Sequence, residues 1–181
     1  SKQFTTMAIA ILEEKGLLSF EDEMKTHIPD LIDYGEIVTI NQMIHHFSGL
    51  GDYEYMDYPG RFKNAIDEEF RWGNEDYLTN DEFHTMIKTL PLIRKPEKKF
   101  WYSNTGYVLL ALVAQNVSGL SLRELADQEI FSPLGMDNSF FNDNVNLPFK
   151  NRADAYSPVK ESPGTYRINV TNLSWVGDGG V

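Results

Sequence analysis

Apolar positions crowd the first sixteen residues: Phe4, Met7, Ala8, Ile9, Ala10, Ile11 and Leu12 are followed by polar residues and by Gly16, a left-handed stop. This pattern predicts a helix over 1–16, buried nearly all round, of the kind that sits inside a domain rather than at a natural N-terminus. Ser19 with Asp22, and Thr39 with Gln42, resemble helix caps, the second being the fuller capping box before Met43 and Ile44. Between about Gly51 and Asn80 the sequence is rich in Tyr, Asp, Glu, Gly and Phe with no clean period, and reads as a long irregular loop containing some helix. From Thr105 to Ser118, Val108, Leu109, Ala111, Leu112 and Val113 form a wide apolar face closed by Gly119, which predicts a core helix. A second capping box, Ser121 with Glu124, opens a helix to about Ile130 that ends before Ser132-Pro133. Beyond residue 136 the texture turns to Asn, Asp, Pro and Ser, with a short strand expected near Tyr166 to Val170 and a terminal Gly-rich turn.

The fold class expected is therefore mainly α, in one partial domain: a buried helix over 1–16, a mainly helical region over 17–136, and an irregular return over 137–181. Both ends look like interior points of a larger fold. Among 181 residues, 41% are hydrophobic and 13% aromatic, which is enough to build a packed core and far from a disordered composition. A formal charge of −11 with no basic stripe excludes nucleic acid as an expected partner. The short basic run Arg94 to Lys99 is broken by Pro96 and Glu97 and reads as a solvated loop. Cysteine is absent, so no disulfide or thiolate metal site can form. No apolar run approaches the roughly 18 residues that span a bilayer. His27, His45, His46 and His84 lack the spacing of a metal motif, and adjacent histidines on a helix point to different faces, so no metal or other cofactor is expected.

Four segments carry a resemblance: Ser1-Lys2-Gln3-Phe4-Thr5, His46-Phe47-Ser48-Gly49-Leu50, Tyr102-Ser103-Asn104 and Gly177-Asp178-Gly179-Gly180-Val181. In this order they resemble the serine β-lactamase and penicillin-binding-protein family, in its branch of class C β-lactamases, esterases and D-Ala-D-Ala peptidases. That family places its nucleophile in S-x-x-K at the start of a buried helix. The register makes Lys2 the motif lysine and puts the nucleophilic serine two positions before Ser1, so Ser1 is not the nucleophile. Phe4 stands where a lysine would be needed if Ser1 began the motif. Residues three apart on a helix share a face, so a lysine amine can reach a serine hydroxyl one turn away.

By the same resemblance Tyr102 and Asn104 belong to the second motif, Y-x-N. Tyr102 is then a candidate general base, Lys2 either accepts the serine proton itself or favours the Tyr102 phenolate by its charge, and Asn104 contacts a substrate amide and orients Lys2. Which of Lys2 and Tyr102 is the base stays open. Without the resemblance, Tyr102 reads as a packing aromatic beside Phe100 and Trp101. The third motif, K-T-G or H-x-G, is absent from these residues and is expected after Val181, together with the backbone N–H it gives the oxyanion hole. His46 and Ser48 are expected to satisfy backbone groups at a helix end, Asp178 to serve as a turn former, and Tyr53, Tyr55, Tyr58 and Trp72 to cover core or line a cleft.

The resemblance implies a helical subdomain plus flanking pieces of a fold in which an α/β domain packs on an all-helical one. It further implies acyl-enzyme hydrolysis of a β-lactam, a D-amino-acid peptide or a small ester, and a periplasmic or extracellular location. The partners it implies are a small-molecule or peptide substrate and the remainder of the parent chain, with the 181 residues alone inactive. The competing reading is a non-catalytic helical module, or a pseudo-enzyme, that binds peptides or cell-wall material.

Overall fold

A computed structural model describes residues 1–53, 80–144, 146–160, 162–169 and 174–181. Among these described residues six α-helices run in order as α1 (Lys2–Glu14), α2 (Met24–His27), α3 (Ile40–Ile44), α4 (Asn80–Ile87), α5 (Asn104–Ser118) and α6 (Leu122–Ala126), the last continuing as a π-helical turn over Asp127–Phe131. Two short strands, β1 (Ala155–Pro158) and β2 (Tyr166–Asn169), pair antiparallel with Tyr156 opposite Ile168. The described residues are thus rich in helix and poor in sheet. Most of the aromatic stretch between Gly51 and Asn80 lies outside them.

Helix α5 is the centre of the core. Its residues 104 to 114 are all buried, which a helix achieves only when neighbours cover it on several sides. Helices α1, α2, α3 and α6 pack against it. The ends of α5 follow from local chemistry: the Ser103 hydroxyl accepts from the Gly106 N–H at 3.2 Å, and Gly119 closes the helix in the left-handed region with φ 72°. Both expected capping boxes are present in full, Thr39 with Gln42 on α3 and Ser121 with Glu124 on α6.

Three local expectations need correction. Helix α1 is not buried nearly all round: Thr5, Ala8, Ile9 and Leu12 are buried, while Met7 is 49% exposed. Its packing partners, α5, α6 and the π-turn, cover the face on which these four residues recur at helical spacing. Ser19 and Asp22 do not open a helix. The Asp22 carboxylate accepts from the Ser19 N–H and engages His27, closing a turn, and α2 begins later, with Glu23 as its N-cap. Strand β2 matches its expected start, but its partner β1 was not expected, since Pro158 and the polar residues around it hide a four-residue strand.

The C-terminal return ends on α5. Gly177, at φ 121°, lies so close to that helix that a Cβ atom would stand 2.5 Å from the Tyr107 carbonyl oxygen and 2.8 Å from the Ala111 Cβ. Only glycine permits both the backbone angle and the approach. The Thr5 hydroxyl donates to the Gly177 carbonyl at 2.6 Å, so the same turn is also tied to α1.

Two outcomes follow from this packing. Gly177→Ala is expected to destabilise the fold by about 2–4 kcal/mol, because both strain and overlap with helix backbone must be relieved; a denaturant midpoint unchanged from wild type would contradict the close approach. His84 lines a pocket with Asn80, Gln115, Asp143 and Trp175, and burial, aided by the Lys88 charge and opposed by Asp81, pushes its imidazole down to about 4. The unfolded chain therefore binds this proton first as pH falls. Stability present above the ordinary value of 6.5 is expected to be lost between there and about 4, by on the order of 2 kcal/mol, and His84→Gln is expected to flatten that loss in urea titrations across the window.

Candidate active site

The site is built where the first turn of α1, the first turn of α5 and the 177–180 turn meet. Lys2 begins α1, and its Nζ donates to the Asn104 Oδ1 at 2.6 Å and to the Asp178 backbone carbonyl at 2.9 Å. These contacts link residues 102 and 176 positions apart in the chain. Two of the amine's three possible donors are thereby directed. The Nζ also stands 5.0 Å from the centre of the Tyr102 ring and 5.4 Å from that of Tyr107.

Asn104 is held from both ends. It is the first residue of α5, with Ser103 as cap, and its own N–H donates to the Asp52 carboxylate at 2.8 Å. A carboxylate facing the first N–H groups of a helix satisfies an otherwise unpaired donor and suits the positive end of the helix dipole. The Ser103 hydroxyl donates in turn to the Gly51 carbonyl at 3.2 Å, and the Thr105 hydroxyl accepts from the Tyr53 N–H at 2.9 Å. Residues 51–53 therefore frame the start of α5, and Asn104 is left only 6% exposed.

Tyr102 is different in kind, being 48% exposed. Its ring lies 4.5 Å from the His46 ring, which also neighbours Tyr107 and Phe100. His46 adopts φ 60°, accepts the Ser103 N–H on Nδ1 at 3.2 Å and gives its carbonyl to the Trp101 N–H at 2.8 Å. Burial first, and the Lys2 charge second, hold its imidazole below the ordinary value. An Nδ1 that accepts must lack a proton, so the hydrogen bond and the shift agree. His46 thus braces the loop carrying Tyr102. His27 pairs with Asp22, and His45 with the Asn41 carbonyl, so the histidines have separate partners.

The structure brings Lys2, Tyr102 and Asn104 together, with Lys2 and Asn104 in direct contact. The Ser1 hydroxyl accepts from the Val181 N–H at 3.1 Å, so both ends of the chain stand beside the site. Three contributors were not legible as site residues. Asp178 is more than a turn former: its carbonyl holds Lys2, and its carboxylate accepts from the Tyr53 hydroxyl, which in turn receives the Trp175 Nε1–H at 3.4 Å. Burial pushes the Asp178 carboxyl above the usual range, opposed by Tyr53, by the Lys2 charge and by the N–H groups of Asp178 and Gly179. Tyr53, read only as one of several clustered aromatics, is 3% exposed and meets Phe83 and Trp175 edge to face. Asp52 carried no motif signal.

The chain is also similar to known proteins. The family model described as Beta-lactamase matches residues 1–180. Penicillin-binding protein 4* of Bacillus subtilis (strain 168) is 36% identical over 139 residues, covering 76% of this chain and 28% of that protein. Protein flp of Staphylococcus aureus (strain MRSA252) is 30% identical over 160 residues, covering 86% of this chain and 29% of that protein. Among solved structures, the octameric penicillin-binding protein homologue from Pyrococcus abyssi superposes with a TM-score of 0.74 at 30% identity, over 99% of this chain and 39% of that one. The chain thus spans under a third of the length of these two curated relatives. With its helix-rich fold and its match along nearly the whole sequence, the chain belongs to the serine β-lactamase and penicillin-binding-protein family.

Proposed function

We propose that these residues are part of a serine hydrolase that cleaves an amide or ester through a covalent acyl-enzyme, with a serine three residues before Lys2 as nucleophile. The observation that carries this reading is the 2.6 Å hydrogen bond from Lys2 to Asn104, which joins the S-x-x-K helix to the Y-x-N loop. In the proposed reaction the serine oxygen attacks the substrate carbonyl carbon while its proton passes to the Lys2 and Tyr102 pair. That proton then goes to the departing nitrogen or oxygen as its bond to the carbonyl carbon breaks. Water repeats the sequence in reverse order and frees the serine. Asn104 keeps the amine aimed, and its amide N–H₂ remains a donor for a substrate carbonyl.

The substrate classes are a β-lactam, a D-amino-acid peptide or a small ester, since one such geometry serves all three. The name of the Bacillus relative speaks for penicillin binding, which favours the first two. The described residues then supply chiefly the helical part of the family's fold, with 137–181 returning toward its α/β part.

In the full-length protein, a chromogenic cephalosporin, a D-alanyl peptide and a p-nitrophenyl ester are expected to include at least one that leaves an acyl group on the serine before Lys2, seen by mass spectrometry. Lys2→Ala is expected to slow acylation by about 10²–10⁴-fold. The 181 residues alone are expected to form no adduct. Absence of turnover and adduct with all three probes would instead favour a non-catalytic binding module.

A further inference from the structure

We propose that Tyr53 and Asp178 form a positioning pair for Lys2, in which the Tyr53 hydroxyl clamps the Asp178 carboxylate so that the backbone carbonyl of the same residue stays on the lysine amine. The inference rests on the reading of Lys2 as a catalytic residue and adds two residues from outside the S-x-x-K and Y-x-N motifs to its support.

The geometry is a short relay. Tyr53 is fixed three ways: its N–H donates to the Thr105 hydroxyl at 2.9 Å, its ring packs edge-on against Phe83 and Trp175, and its hydroxyl donates to Asp178. Asp178 sits between Gly177 and Gly179, both of which leave the backbone free to rotate unless something pins it. Gly177 is pinned by α5 and by the Thr5 hydroxyl, on the N-terminal side of Asp178. On the C-terminal side the chain is held by the Asn142 N–H donating to the Gly180 carbonyl at 2.7 Å. Between those points a long bond of 3.4 Å from the Gly177 N–H to the Gly179 carbonyl spans Asp178, and the carboxylate is the side-chain anchor that holds the 178 carbonyl, 2.9 Å from Lys2 Nζ.

A buried carboxylate is a poor choice for stability alone. Burial disfavours its charge, which is the leading influence on Asp178. An asparagine would keep an acceptor for Tyr53 at the same place without that cost. The titratable and charged groups facing the pair are Lys2, with His46, Asp52, Tyr102 and Tyr107 around the lysine and the start of α5. Lys2 is the cation among them that favours the charged form of Asp178, so pair and lysine support each other.

The test uses the full-length protein and three variants, Tyr53→Phe, Asp178→Ala and Asp178→Asn, each measured for kcat, KM and Tm with the best of the three probes above. Tyr53→Phe is expected to lower kcat about tenfold and Asp178→Ala about a hundredfold, with KM within about twofold, because a misplaced amine harms the reaction step rather than binding. Asp178→Asn is expected to recover at least about tenfold of the Asp178→Ala loss, with a Tm no lower than wild type. The pairing is overturned if kcat stays within about twofold in Tyr53→Phe and Asp178→Ala, or if Asp178→Asn is no better than Asp178→Ala. Should wild type itself prove inactive, the hydrolase reading fails, and the pair is judged by Lys2 labelling with an amine reagent read by mass spectrometry. Labelling at least about threefold faster in Tyr53→Phe supports the clamp, and an unchanged rate overturns it.

Discussion

A lysine amine held between a side-chain amide on one helix and a backbone carbonyl on a glycine-flanked turn is the contact around which the site is arranged. It requires α1, α5 and the 177–180 turn to meet within hydrogen-bond reach of Lys2 Nζ, although they come from the start, middle and end of the chain. An amine so placed cannot be supplied by local sequence alone. It depends on the core that sets α1 against α5, on the glycine that lets the turn touch α5, and on the caps that fix where α5 begins.

The energetics divide accordingly. Burial of α5 and of the packed faces of its neighbours provides the apolar free energy that holds the described residues together. The polar groups at the start of α5 add little net stability singly, yet each must be paired because it lies where water is scarce. Asp52 on the Asn104 N–H, Thr105 on the Tyr53 N–H and Asp178 on the Tyr53 hydroxyl meet that requirement and, in doing so, aim the groups that face Lys2. Satisfying buried donors and orienting the amine are here done by the same bonds.

Local rules explain what could be read from sequence. Thr39 with Gln42 and Ser121 with Glu124 form capping boxes because the interaction is contained within four residues, and Gly119 ends α5 for the same local reason. Ser19 failed as a cap although the Asp22 carboxylate accepts from its N–H, because its hydroxyl takes the Glu21 N–H rather than that of Asp22 and the helix starts only at Met24. Helix α1 looked buried all round because side-chain type alone does not say which sides of a helix the partners occupy. The proximity of Lys2, Tyr102 and Asn104 followed from motif resemblance, whereas the Asp178 carbonyl is invisible to any reading by residue type, being a backbone group 176 positions from the lysine. Tyr53 was lost among neighbouring tyrosines, since only its burial and its hydroxyl partner distinguish it.

Family membership, the Lys2 to Asn104 bond and the proposed acyl-enzyme converge on one structural claim: the amine is poised one helical turn from the nucleophile. A crystal structure of the full-length protein trapped with a slowly hydrolysed β-lactam or a boronic acid tests it most directly. The account predicts a covalent bond to the serine three residues before Lys2, with Lys2 Nζ still on Asn104 Oδ1 and the Asp178 carbonyl and Tyr102 turned toward the adduct. A ligand bonded elsewhere, or a Lys2 side chain turned out of the site in the adduct, would contradict it.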